Sequence, residues 1–262
     1  MRSATLSPES ILKKGLKELS LVLSEDQLRA FMTYLSELKR WNKAYNLTAL
    51  KTDEDIVIKH FLDSLLYLRA IPEGEISVMD VGSGAGFPGI PIKIMRPETE
   101  MHLLEPSRKK AGFLRHVIRM FGLEGIEVVE KRIEDVGLLM VDVAVTRALF
   151  DIKEFAEKAF SHLNKGGRLV VSKGPRVSEE LKTLKEIDYE LLTLTLPFST
   201  IKRFIVVINK VERGPNSAAK ACSESSGGAQ SGETVVCVNR ECRLRKAGCR
   251  GFEGCPGFKA NA

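Results

Sequence analysis

Apolar positions along this chain follow two different rhythms, and the change falls near residue 75. Before it they recur at helical spacing. Ile11, Leu12, Leu16 and Leu19 make a first stripe behind Ser7-Pro8-Glu9, where serine can cap the helix and proline fills its first position. Leu28, Phe31, Leu35 and Leu38 make a second, opened by Ser24 with Gln27 three residues later, the spacing of a capping box. Val57, Phe61, Leu65 and Leu68 make a third, behind Thr52 and the acids Asp53, Glu54 and Asp55. Residues 1–70 therefore predict an N-terminal helical cap.

Beyond residue 75 short apolar runs alternate with amphipathic stretches. The runs predict strands near 77–81, 101–105, 126–130, 141–146, 167–172, 189–196 and 203–210, with helices near 88–95, 107–121, 151–163 and 177–185. That alternation is the pattern of a parallel sheet covered on both faces. The last two strands are joined too tightly for a helical crossover, so they must pair antiparallel. The expected fold is α/β: a doubly wound, Rossmann-like, seven-stranded sheet with one antiparallel strand, spanning 71–211 after the helical cap.

The first strand leads into the densest chemistry, Asp80-Val81-Gly82-Ser83-Gly84-Ala85-Gly86-Phe87-Pro88-Gly89. Glycines allow a sharp turn and close approach to a ligand, and Pro88 sits where a helix begins. The next strand ends in Glu105, placed to grip ribose hydroxyls. Gly84-x-Gly86-x-x-Gly89 matches a dinucleotide fingerprint. However, a carboxylate at Asp80 would repel a pyrophosphate, and Pro88 removes an N–H that a pyrophosphate would use. The same carboxylate suits a ligand with a cationic amine and sulfonium. S-adenosylmethionine (SAM) fits better than NAD, and seven strands with one reversed insert is the architecture of SAM-dependent methyltransferases. The ligand is expected at the carboxyl ends of the strands.

Several separate segments resemble the RsmG (GidB) family of bacterial methyltransferases across residues 30–211. They are Trp41-Asn42-x-x-Tyr45-Asn46-Leu47-Thr48, Lys59-His60-Phe61-x-Asp63-Ser64, the loop with its Gly86-Phe87-Pro88-Gly89 ending, Arg132-Ile133-Glu134-Asp135, Thr146-Arg147-Ala148 and Ser172-Lys173-Gly174. The resemblance implies methylation of N7 of a guanine in the decoding-region loop of 16S ribosomal RNA. It implies Asp80, Gly82, Gly84, Gly86 and Phe87 around SAM, Glu105 at the ribose, Ile133 and Glu134 flanking the adenine, and Arg147 at the reactive end. Simpler roles compete. Glu105 could cap the following helix, Ile133 could be core, Glu134 a turn acid and Arg147 half of a structural pair. Trp41 could be either a core aromatic or a base-stacking platform, and His60 either structural or RNA-facing.

Guanine N7 carries an exposed lone pair, so the expected chemistry needs no general base. Arg147, Lys173 and Asn46 would orient the base or a nearby phosphate. Lys plus Arg exceed Asp plus Glu by 40 to 34, which permits a polyanionic partner. Basic clusters at Lys39-Arg40 with Lys43, and at Arg108-Lys109-Lys110 with Arg115 and Arg119, would supply an RNA footprint. The expected partner is 16S ribosomal RNA or the small ribosomal subunit, met by a monomer. A methyltransferase for a small molecule or protein, and a SAM-regulated RNA-binding module, are the alternatives. No apolar run approaches the ~20 residues of a membrane span, and no signal-peptide core opens the chain, so a cytoplasmic protein is expected.

Cysteine is confined to the end of the chain, at 222, 237, 242, 249 and 255. Residues 212–234 have the composition of a flexible linker, and 235–262 form a Cys-rich basic tail beyond the usual end of the family. Cys237, Cys242, Cys249 and Cys255 suggest zinc or iron–sulfur ligation in a cytoplasmic chain, although the lack of a Cys-x-x-Cys pair weakens zinc. An unmetallated extension is the competing reading.

Overall fold

Three helical segments precede the sheet, and each begins where its capping residue dictates. In the computed structural model, which describes residues 6–147, 149–184 and 187–210, α1 (Pro8–Glu18) starts where Ser7 Oγ accepts the Ser10 N–H at 3.2 Å. Helix α2 (Glu25–Tyr45) carries the full capping box: Ser24 Oγ accepts the Gln27 N–H at 3.1 Å, and Gln27 Oε1 accepts the Ser24 N–H at 2.9 Å. It stops at Asn46, whose left-handed backbone ends the helix. The third segment departs from the single helix that its apolar stripe predicts. A short α3 (Asp53–Ile56) passes into a π-helical turn (Val57–Leu62), α4 (Asp63–Leu65) and a 3₁₀ turn (Leu66–Arg69). Such π turns gather at functional sites, and this one carries Lys59 and His60.

The sheet follows as β1 (Ser77–Val81), α5 (Gly89–Met95), β2 (Glu100–Leu104), α6 (Arg108–Phe121), β3 (Ile126–Val129), β4 (Val141–Arg147), α7 (Ile152–Ala159), β5 (Leu163–Lys173), α8 (Val177–Leu181), β6 (Glu190–Thr195) and β7 (Lys202–Asn209). Its order is β3-β2-β1-β4-β5-β7-β6. Strand β7 runs against both β5 and β6, and the other pairs are parallel. Seven strands with one reversed insert is the arrangement that the sequence predicts. Strand β5 begins earlier than its apolar run, because Asn164-Lys165-Gly166-Gly167 gives its first half no hydrophobic signal. The helix expected over 151–163 ends correspondingly early, in a 3₁₀ turn at Phe160–His162.

Alternation along the strands divides the core in two. Val78, Val143 and Val145 face a cluster that includes Phe31, Tyr34, Phe61 and Leu65, so the N-terminal helices share one core with the sheet. Met79, Val81 and Ala144 face α7 residues on the other side. Strand order reverses beside β1, between β2 and β4, and the crevice outside the strand ends at such a reversal is where open α/β sheets bind ligands. All described residues belong to one compact unit, Met1–Val211. The expected linker and tail, with all five cysteines, lie outside the described residues, as does Ala148. No helix among the described residues is long and apolar enough to cross a membrane.

Candidate active site

The loop after β1 is shaped by three glycines with positive φ: Gly82 at 75°, Gly84 at 60° and Gly86 at 97°. The N–H groups of Gly82 and Ser83 both donate to the Leu104 carbonyl, at 2.9 and 3.0 Å, which ties the loop to the end of β2. At Gly86 a Cβ would stand 2.5 Å from Tyr34 Oη and 2.8 Å from Ile90 Cδ1. Tyr34 Oη itself donates to the Ala85 carbonyl, so a cap residue pins the loop. Gly86→Ala should therefore cost about 2–4 kcal/mol, from backbone strain plus overpacking. Urea denaturation checks this, and a loss below about 0.5 kcal/mol would show that the loop gives way.

Asp80 lies beneath this loop and is fully buried. Its Oδ2 accepts the Gly89 N–H at 2.9 Å, which caps α5 from below, while Oδ1 has no partner. A Cβ on Gly89 would come within 2.8 Å of that Oδ2, so only glycine permits the contact. Pro88 is the residue before α5 rather than its first, and the helix opens on Gly89. Burial pushes the Asp80 carboxyl up to about 7, against smaller opposing effects from the Gly89 N–H, Ser83 and Arg147. Glu105, just past β2, accepts the Gly84 N–H at 2.8 Å through Oε2 and the Ser107 N–H at 2.8 Å through Oε1. It thus clamps the glycine loop and caps α6 together, leaving its second lone pairs for a ligand.

Ile133 is buried in the same apolar cluster as Val81 and Leu104. Glu134 is exposed and ion-paired with Lys158 of α7, which holds its carboxyl below the usual range. Both line a cavity of about 400 Å³ with Lys158 and His162.

A second cleft, of about 430 Å³, opens at the ends of β4 and β5 and is lined by Thr48, Lys59, His60, Arg147, Lys173 and Arg203, among others. Arg147 is the last residue of β4. Its Nη2 faces His60 Nδ1 at 3.2 Å, and its Nη1 lies 3.7 Å from Asp63 Oδ2. A guanidinium only donates, so Nδ1 accepts and the imidazole proton sits on Nε2, which donates to Thr48 Oγ1 at 2.7 Å. Burial, then Arg147, lowers His60 to about 3, so it is neutral and has no free lone pair. Asp63 is buried and takes Arg203 Nε at 2.6 Å on Oδ1. Tyr67 fixes the two strand ends, donating to the Thr146 carbonyl at 2.6 Å and accepting the Ser172 N–H at 3.2 Å.

Phe87 joins the two sites. Its backbone belongs to the glycine loop, while its ring stacks on His60 with centroids 4.4 Å apart and lies 5.2 Å from the Arg147 guanidinium. Lys173 is on the cleft wall, but its ammonium is held by Glu180 at 2.8 Å and by the Phe150 carbonyl. Asn46 is exposed at the end of α2 and does not line the cleft. The side chain that shapes this stretch is Asn42, whose amide donates to the Thr48 carbonyl at 3.0 Å and accepts the Thr48 N–H at 2.9 Å. The Asp63–Arg203 pair escapes a reading by motif, though it leaves a trace: an acid within Phe61-Leu62-Asp63-Ser64-Leu65-Leu66 must be buried and must have a partner. Among the described residues no group of three or more His, Cys, Asp or Glu is arranged to hold a metal ion. The four proposed tail ligands lie outside those residues.

This sheet order, with a glycine loop and flanking acids at the strand ends, defines a Rossmann-like methyltransferase. A crystal structure of a methyltransferase from Pyrococcus furiosus shares the fold, at a TM-score of 0.50 and 17% identity over 68% of this chain and 97% of that one. The family model for rRNA small subunit methyltransferase G (GidB) matches residues 27–200. A ribosomal RNA small subunit methyltransferase G from Pelotomaculum thermopropionicum is 40% identical over 217 residues, 78% of this chain and 91% of that one. Another from Acetivibrio thermocellus is 32% identical over 237 residues, 86% and 98% of the two chains. The chain belongs to the rRNA small subunit methyltransferase G family and is a methyltransferase.

Proposed function

We propose that this enzyme transfers a methyl group from SAM to N7 of a guanine in the decoding-region loop of 16S ribosomal RNA. The observation that carries the reading is the cleft behind Phe87. Its imidazole is kept neutral by burial and by Arg147, with its two nitrogens taken by Arg147 and Thr48, and its carboxylate is occupied by two arginines. Such a site orients and desolvates a nucleophile that is already unprotonated. The residues around the glycine loop suit SAM: Asp80 Oδ1 is a buried acceptor without a partner, a Cβ at Gly84 would meet nothing closer than the Gly82 carbonyl at 3.9 Å, and Glu105 keeps acceptor capacity. When bound, SAM supplies an electrophilic methyl on a sulfonium. Asp80 would answer its cationic end, Gly82 and Phe87 would line the methionine–ribose region, Glu105 would hold the ribose, and Ile133 with Glu134 would flank the adenine. Arg147 would face the guanine and help to exclude water. The names of the two relatives point to a ribosomal RNA substrate, and a cytoplasmic monomer is the form that fits it.

The direct test is incubation with radiolabelled SAM and 16S RNA that lacks the modification, followed by mapping of the labelled nucleotide. Label on a protein or small molecule, and none on RNA, would favour the alternative substrates. The rate at saturating SAM and RNA should be flat between about pH 6 and 9, because no group in the cleft must gain or lose a proton. A bell-shaped profile with an ionisation near neutrality would contradict the mechanism.

The seventh and last strand among the described residues ends at Asn209. Truncation after Lys210 should therefore leave a folded enzyme that binds SAM. Metal ligation by Cys237, Cys242, Cys249 and Cys255 would give about one equivalent in elemental analysis of the full chain and none in the truncated form. Equal metal content in the two forms would remove the proposal.

A further inference from the structure

Beside the cleft, helices α2 and α6 present a surface that methyl transfer itself does not need. We propose that Tyr45 and Trp41 form a stacking platform for a single-stranded nucleotide flanking the target guanine, with the neighbouring phosphate on Lys43. The proposal rests on ribosomal RNA being the substrate and adds where the strand leaves the cleft.

Tyr45 is the last residue of α2 and is 45% exposed, unusual for an aromatic on a helix whose other face is core. Trp41 lies one turn earlier, with its ring centroid 5.3 Å from that of Tyr45. Behind it, Trp41 packs on Phe113 at 5.5 Å and on His116 at 5.1 Å, both from α6. The pair is thus a step with a rigid underside and one open flank, the form on which an unstacked base can rest.

The charge around it has one sign. Glu37 is the acid on this face, and it is buried and consumed: His116 Nε2 lies 2.8 Å from its Oε2, and Arg40 pairs with the same oxygen. Lys43 is exposed and has no acidic partner among the described residues. On α6, Lys109 and Arg119 stand at helical spacing from His116, are exposed, and likewise have no acidic partner among the described residues. Aromatic faces beside Lys43, Lys109 and Arg119, cations without an acidic partner among the described residues, suit single-stranded nucleic acid, since a duplex presents no base face and a peptide would seek acceptors that this face lacks.

Continuity with the cleft fixes the place on the strand. Thr48 lies three positions beyond Tyr45, a span of at most about 11 Å. Asn42 holds the Thr48 backbone at both N–H and carbonyl, and Thr48 accepts the His60 Nε2 proton inside the cleft. A strand with its guanine in the cleft therefore leaves directly over Tyr45.

The molecule carries its own probe, because Trp41 is the single tryptophan of the chain. The SAM-saturated full chain is titrated with a single-stranded RNA fragment containing the target loop, and Trp41 emission is followed beside anisotropy of the labelled RNA. Emission should be quenched in step with binding. Tyr45→Ala should weaken RNA binding about tenfold with SAM affinity unchanged, and Tyr45→Phe should restore it. Lys43→Ala should reduce the slope of log K against log salt by about 0.7, whereas Tyr45→Ala should leave the slope alone. Wild-type RNA affinity in Tyr45→Ala, or unchanged Trp41 emission at saturating RNA, would overturn the platform. Quenching by a matched duplex, or only by a protein-covered ribosomal subunit, would overturn it equally. Methyl transfer to RNA by the wild-type enzyme tests the substrate reading separately, so the two failures are told apart.

Discussion

Asp80→Asn should abolish SAM binding and yet yield a protein that is more stable than the parent above pH 7. Both effects follow from a fully buried carboxyl with one hydrogen-bonded oxygen and one without a partner. Burial raises its pKa to about 7, well above the unfolded value near 3.8. The folded state then binds the proton more tightly than the unfolded state. Stability therefore falls as pH rises from about 4 to about 7, and the penalty persists above that, by at most about 4 kcal/mol. Asparagine keeps an oxygen for the Gly89 N–H and carries no charge, so the penalty disappears. What disappears with it is the anion that would answer the cationic end of SAM. Calorimetry should show SAM affinity falling at least 100-fold, about 2.7 kcal/mol, while thermal denaturation at pH 8 shows a higher midpoint. In the parent, SAM affinity should also fall by up to about tenfold per pH unit below 7, since binding must then expel the Asp80 proton, and Asp80→Asn should lose that dependence. NAD should bind neither protein. Affinity for SAM within threefold of the parent would remove Asp80 from the cofactor site.

How far such a site can be read from sequence depends on which forces announce themselves in a linear pattern. The cap helices and the seven strands did, because capping residues and apolar periodicity are local: Ser24 with Gln27 opens α2, and Val78, Val143 and Val145 alternate onto one face. The reversed strand was legible from a connection too short to cross the sheet. The π turn over Val57–Leu62 was not, since it keeps the apolar spacing of an ordinary helix. Within the site, Asp80 and Glu105 were legible as acids at strand ends, but their hydrogen bonds to Gly89, Gly84 and Ser107 depend on how the loop folds. The surroundings of Lys173 and Asn46 were not legible: the first is held by Glu180, 7 residues away in the chain, and the second is exposed at the end of α2, beside the turn that Asn42 fixes. Long-range pairs such as Asp63 with Arg203, separated by 140 positions, leave no local periodicity at all.

Arg147→Ala should lower methyl transfer at least 100-fold while the protein stays folded. The fold survives because Asp63 keeps its close partner, Arg203 at 2.6 Å, and loses only the 3.7 Å contact to Arg147. The rate falls because the guanidinium is a donor fixed at the meeting of the two sites, over Phe87 and beside His60. Removing one such preorganised donor typically costs about 3 kcal/mol of transition-state stabilisation. Arg147→Lys should recover only part of this, since an ammonium cannot donate as a planar fork or stack on the Phe87 ring. A second readout needs no substrate. Arg147 is the smaller of the two causes that depress His60, so its removal should raise the imidazole pKa from about 3 while burial keeps it below 6.5. NMR titration of His60 follows that rise directly. An unchanged rate in a folded Arg147→Ala protein would leave Arg147 a structural residue. An unchanged His60 titration would show that the two side chains do not meet, and the cleft geometry would then be wrong at its centre.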